Sequence, residues 1–159
     1  MRPIFTIIFL LSFLSLKATE QRPDMLIYKS DTIFIDKFPL DLFAKQYPKI
    51  AKSLEDTTCI MTDCWRQYVA TWKIENDSLF LVGLIDCCND KTIPLDRIFD
   101  RKSINKNKVF ASWYTDTINS EFGKFLRFSE EEWKSKYDHQ IELVIDKGKI
   151  TNLTIKKTE

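Results

Sequence analysis

Glycine and histidine are the scarcest informative residues of this 159-residue chain, with three of the first and one of the second, and proline occurs only five times. Phosphate-cradling and dinucleotide-binding loops depend on clustered glycines that let the backbone approach a ligand, so three scattered glycines exclude them. A single histidine, His139, excludes the paired-histidine zinc motifs, and no nucleophile elbow is present. The chain also lacks a charge excess of either sign: 24 Lys and Arg stand against 23 Asp and Glu. Without a basic surplus to neutralise phosphates, nucleic acid is not an expected partner. The 44% hydrophobic content is that of a globular protein and not of a disordered or collagen-like one.

Long apolar runs are absent with one exception. Met1-Arg2-Pro3 is followed by a nearly unbroken apolar stretch over residues 4–16, and polar sequence begins at Lys17. That run falls short of the ~20 residues that cross a bilayer as a helix, and its basic start and small-residue end have the layout of a secretory signal peptide. The expectation is a signal peptide over residues 1–18, cleaved after Ala18, and a single β-rich domain over residues 19–159 without a membrane span. No cysteine lies near the cleavage point to carry a lipid. Loss of Arg2 and Lys17 leaves 22 cations against 23 acids, a nearly neutral mature chain large enough to bury roughly two thirds of its unfolded surface. The expected localisation is periplasmic or secreted.

Alternation of apolar and polar residues dominates the mature part. Residues 25–35 read as a hairpin around Lys29-Ser30-Asp31. Residues 42–54 have apolar positions at helical spacing interrupted by Pro48, which predicts one or two short helices. Residues 66–86 form a long hairpin around Asn76-Asp77, which sets Trp72 opposite Leu81 and Tyr68 opposite Ile85. Phe38-Pro39-Leu40 and Ile93-Pro94-Leu95 each read as the start of a short helix with Pro in its first turn. Residues 102–108 read as a loop. Residues 109–118 and 124–128 then read as a strand pair joined near residues 119–123. Ser129-Glu130-Glu131-Glu132 has the form of a capping box and predicts a short helix to about Lys136. In the last hairpin, a three-residue loop with Gly148 in a bulge sets Ile141 opposite Leu153. The sum is a mainly β fold: about eight antiparallel strands in a small barrel or two-sheet sandwich, with two or three short helices.

Four cysteines, Cys59, Cys64, Cys87 and Cys88, lie in the mature chain, where export makes disulfides the default. Extending the central hairpin sets Cys64 opposite Asn89 and on the same face as Cys87. The favoured pairing is therefore Cys64 with Cys87 and Cys59 with Cys88, ahead of the crossed alternative and of a strained Cys87–Cys88 bridge. Adjacent cysteines on a strand point to opposite faces, which suits tetrahedral zinc poorly, so neither a metal nor a cofactor is expected.

The aromatic residues suggest a surface for a ligand. Tyr68 and Trp72 share one strand face, and Trp113 and Tyr114 lie in the strand read over residues 109–118; these four are the candidate ligand-binding residues, with core packing as the plainer reading. The alternative is a small secreted hydrolase built on His139 with a nearby carboxylate, Asp138, or on a carboxylate pair such as Glu131 and Asp116. The segments Cys64-Trp65-Arg66-Gln67-Tyr68-Val69-Ala70-Thr71-Trp72-Lys73-Ile74, Leu79-Phe80-Leu81, Ile93-Pro94-Leu95 and Lys108-Val109-Phe110-Ala111-Ser112-Trp113-Tyr114 resemble a group of small exported bacterial proteins of unknown function. The resemblance covers about residues 60–155 and implies a bacterial, exported setting, with no functional residue carried over. The expected function is that of an exported, soluble binding or interaction module, immunity-like or small-ligand-binding, for a protein or small-molecule partner.

Overall fold

The computed structural model describes residues 20–54, 59–130 and 134–158; the expected signal peptide lies outside them. The chain runs β1 (Asp24–Tyr28), β2 (Asp31–Ile35), α1 (Pro39–Gln46), α2 (Pro48–Leu54), β3 (Tyr68–Ile74) and β4 (Leu79–Asp86). Two 3₁₀ turns, Leu95–Arg97 and Arg101–Ser103, lead into β5 (Ile104–Asn105), β6 (Lys108–Phe110), β7 (Asp116–Ser129), β8 (Lys134–Asp146) and β9 (Lys149–Lys157). The strands form a six-stranded sheet in the order β2-β1-β3-β4-β6-β5 and a three-stranded sheet in the order β7-β8-β9. The fold is thus mainly β, with two sheets arranged as in a sandwich and no closed barrel among the described residues. Leu26, Ile33, Ile35, Trp72, Leu81 and Leu84 from the first sheet meet Ile118, Ile141 and Leu143 from the second in one buried cluster.

Turn chemistry fixes the hairpins. Asn76 and Asp77 both take positive φ, 49° and 51°, the geometry of the two-residue turn that matches the twist of paired strands. Trp72 then faces Leu81 as the pattern requires. The pairing slips between Thr71 and Trp72, because Thr71 faces Gly83 and leaves Val82 as an extra residue. Tyr68 consequently faces Asp86 rather than Ile85. The ladder stops at Tyr68, so Cys64 is not opposite Asn89 but in the loop before the strand.

Several further expectations are corrected. The sheet is not wholly antiparallel: β1 and β3 pair in parallel, Leu26 beside Trp72. The chain between β2 and β3 is long enough to cross over through α1 and α2, which is what a parallel pair needs. Residues 102–108 are not merely a loop, since β5 pairs with β6 there. Residues 109–118 are not one strand; turn bonds from Ser112 N–H to Phe110 O and from Tyr114 N–H to Ala111 O end β6 and move the chain to the second sheet. Residues 119–123 are not a turn but the middle of β7, whose pairing with β8 shifts on either side of Phe125. Lys134 to Lys136 are strand rather than helix and pair with β7; residues 131–133, the end of the expected capping box and the start of its helix, lie outside the described residues. The last hairpin has a two-residue Lys147-Gly148 loop, with the extra residue at Thr151 inside β9, so that Leu153 faces Leu143 and Ile155 faces Ile141. The bulge keeps the apolar residues on one face, at a different place from the one expected.

Candidate functional site

Three of the four candidate rings belong to the interior: Tyr68 is 4% exposed, Trp72 0% and Tyr114 1%. Their polar atoms are directed inward. The Trp72 indole N–H donates to Asp24 Oδ2 at 3.0 Å, and the Tyr68 hydroxyl donates to Asp41 Oδ1 at 2.7 Å. Trp113 is half-buried, donates from its indole to the Pro39 carbonyl at 2.9 Å and stacks on Phe99. The Tyr114 hydroxyl has no hydrogen-bond partner among the described residues. None of the four lines the cleft described below.

Asp24 organises the region beneath the N-terminal segment. Fully buried at the start of β1, its carboxylate accepts from Trp72, from the Ala70 amide at 3.1 Å and from Arg66 Nη1 at 3.2 Å. Burial pushes its pKa up to about 6, against the opposing pull of the Arg66 charge. Arg66 also donates to the Arg22 carbonyl at 2.7 Å and lies 3.5 Å over the Phe38 ring. One guanidinium thereby ties the segment before β1 to the loop before β3.

That segment forms one wall of a cleft of about 600 Å³. Backbone and side-chain bonds fasten it to the disulfide-bearing loop: Arg22 N–H to Asp63 O at 2.7 Å, Arg22 Nε to Asp63 Oδ2 at 2.7 Å, and Trp65 N–H to Gln21 Oε1 at 2.8 Å. The Arg22 contact holds the Asp63 carboxyl below its ordinary pKa. The other lining comes from Phe34 beside Asp36, from Glu121 and Gln140 in the middle of β7 and β8, and from Phe128 and Lys134 at their far end. The Ser120 hydroxyl donates to the Phe34 carbonyl, and Lys37 Nζ to Asp116 at 2.8 Å, so that β7 runs beside β2 without joining its ladder.

The cleft carries charges of both signs, four acids against three bases. Glu20, Asp36, Asp63 and Glu121 face Arg22, Lys134 and Lys136. Lys134 Nζ is 3.2 Å from Asp36, and Lys136 Nζ is 3.2 Å from Glu121. Among these charges two rings stay open to solvent, Phe34 at 56% and Phe128 at 46% exposure. The sequence reading did not select Phe34, although its place between Ile33 and Ile35 marks it as the outward residue of a half-buried strand.

His139 contacts Asp138 at 2.7 Å through Nδ1 and lies against Phe122. Asp138 also accepts from the Lys124 amide at 2.8 Å, and both bonds hold its carboxyl below the usual range. Asp116, the other described carboxylate weighed for hydrolysis, pairs with Lys37, and Glu131 lies outside the described residues. No cluster of three or more potential metal ligands occurs among the described residues.

The cysteines form two bridges, Cys59–Cys88 and Cys64–Cys87, in the favoured pairing. They pin the loop before β3 to the end of β4, where the Cys87 amide donates to the Gln67 carbonyl at 3.0 Å. Two disulfides point to an oxidising compartment outside the cytoplasm, and no described helix is long and apolar enough to cross a membrane. Comparison with protein-family models, with curated proteins and with solved structures finds no match to this chain.

Proposed function

We propose that the protein is an exported, soluble binding module, periplasmic or secreted, whose cleft takes a polypeptide segment of a partner protein. The observation that carries this reading is the pair of exposed rings, Phe34 and Phe128, set among charges of both signs in a cleft of about 600 Å³. Open aromatics act as anchors and a mixed charged rim selects the partner, the division of labour found in protein interfaces. The two disulfides support export, and they pin the loop to which the cleft's N-terminal wall is hydrogen-bonded. Among the described residues, the hydrolase alternative has the His139–Asp138 contact in its favour.

The test uses the chain with its own leader in producing cells, with a photo-crosslinking amino acid at Gln140 in the cleft and, as control, at Lys102, which is exposed and does not line it. The expected result is a discrete protein adduct from Gln140, absent from Lys102 and lost when Phe34→Ala is added, in a product found outside the cytoplasm. Because Phe34 is exposed, that substitution should change stability by less than about 0.5 kcal/mol. Equal adducts from both positions, or a cytoplasmic product with four free thiols, would refute the proposal.

A further inference from the structure

Past the end of β9 the second sheet continues as a two-stranded ribbon. β9 stops with Lys157 opposite His139, and among the described residues β7 and β8 go on alone, from Phe122 opposite His139 to Ser129 opposite Lys134. An isolated two-stranded ribbon is marginal in water, and a third element or a covered apolar face is what steadies one.

This ribbon has such a face. Residues directly opposite one another share a side of the sheet, and so do alternate residues of a strand. The buried Ile145, Leu143 and Ile141 of β8 are therefore continued on the same side by His139 and Tyr137, whose partners on β7 are Phe122 and Phe125. Burial falls away along the row: Ile141 is 0% exposed, Phe122 is half-buried at the rim of the core, and Phe125 is 54% exposed. The Phe125 and Tyr137 rings meet edge to face with centroids 6.2 Å apart, and Phe122 lies against His139. Leu126, next in the bulged part of β7, is also exposed. Phe122, Phe125, Leu126 and His139 do not line the cleft. The row is a separate surface, an extension of the core face left open to solvent.

Charge narrows what covers it. Lys156 and Lys157 end β9, and Lys134 and Lys136 lie along β8. Lysines on an edge oppose the addition of a further strand, so the contact is made through the face. The stem of the ribbon carries Lys157, on the side of the apolar row, and the tip carries Glu130; both are exposed, and neither forms an ion pair among the described residues. A surface with a base at one end and an acid at the other is complementary to itself turned end to end.

We propose that this ribbon is the contact surface for a second copy of the chain, the two ribbons packed face to face and antiparallel about a two-fold axis. Each apolar row then lies on its counterpart, with Phe125 and Tyr137 at the centre, and the acidic tip of each copy reaches the basic stem of the other. A contact of this kind closes at two subunits, and its small area makes the association concentration-dependent.

Sedimentation equilibrium of the chain purified from its producing cells, disulfides intact, over a range of concentrations tests this. The mass is expected to rise with concentration from one chain to two and no further. Phe125→Lys should hold it at one chain where the wild type is paired, with an unchanged far-UV spectrum, whereas Phe34→Ala, in the cleft, should leave the pairing as it was. Glu130→Lys and Lys157→Glu should each weaken pairing several-fold, and the two together should restore it. A wild type that stays single at every concentration, pairing that survives Phe125→Lys, or pairing lost in Phe34→Ala would overturn the proposal. Failure of the double exchange to restore pairing would overturn the antiparallel arrangement. The charge exchange decides the matter even if Phe125→Lys does not fold.

Discussion

Asp24 illustrates how one residue sets the cost of a fold. A carboxylate with no solvent contact needs several donors, and the Trp72, Ala70 and Arg66 bonds supply them. Burial still lifts its pKa from the ordinary 3.8 to about 6, so the native state holds the proton more tightly than the unfolded chain. The stability this group adds is complete below about pH 4 and is lost as the pH rises through about 6. Relative to Asp24→Asn, which does not titrate, the wild type should therefore gain about 2 kcal/mol on going from about pH 7 to about pH 4.5. Urea denaturation of both proteins at the two pH values measures this directly, and an unchanged difference would remove the argument. Acids shared by both proteins cancel in the comparison. Trp72 was conspicuous in the sequence and Asp24 was not, because a carboxylate just after Pro23 reads as a polar strand flank. Only the parallel pairing of β1 with β3, which no local pattern announces, brings the two together.

Among the elements, the hairpin turns are where local chemistry most fully decides structure. Asn76-Asp77 was legible as a turn, and so was the register next to it, since Trp72 does face Leu81. The error at Tyr68 arises farther along, where Val82 is accommodated as an extra residue that leaves no mark in the alternation until the ladder is followed to its end. The capping-box motif at Ser129 misled for a related reason: it specifies how a helix would start, whereas the partner strand decides that Lys134 onward is extended. Gly148 shows the reverse, a local signal with a tertiary purpose. At φ 77° it donates its amide to the Tyr114 carbonyl and accepts from the Leu79 amide, so one turn locks both sheets. A Cβ there would lie 2.6 Å from the Ala111 carbonyl oxygen. Gly148→Ala should cost about 2–4 kcal/mol in denaturant unfolding, while Gly83→Ala, where a Cβ would make an ordinary contact with the Thr71 side chain at 3.6 Å, should cost nothing in the same assay. Equal effects of the two substitutions would contradict this assignment.

At the level of the whole molecule, the sequence conveyed the class of fold and the disulfide pairing, but not the division of the strands into six and three. The pairing was legible because the central hairpin alone brings the cysteine-bearing ends together. The division was not, because it turns on where β6 hands the chain to β7, at a run of aromatics that reads as one continuous strand. The two bridges differ in access: Cys64 and Cys87 are 0% and 6% exposed, whereas Cys59 and Cys88 are half-buried. A thiolate must reach a sulfur to reduce it, so mild reductant should open Cys59–Cys88 first. Timed alkylation followed by peptide mass analysis should find label on Cys59 and Cys88 before Cys64 and Cys87, and the opposite order would show that the inner bridge is the more accessible. The bridges are also nested, one spanning 29 residues around another spanning 23. During synthesis from the N-terminus, Cys59 and Cys64 emerge well before either of their partners, and until residue 87 appears they have only each other to pair with. A bridge formed in that interval would have to be undone by thiol exchange, so the yield of native protein depends on how quickly the β4 end of the hairpin follows the loop out.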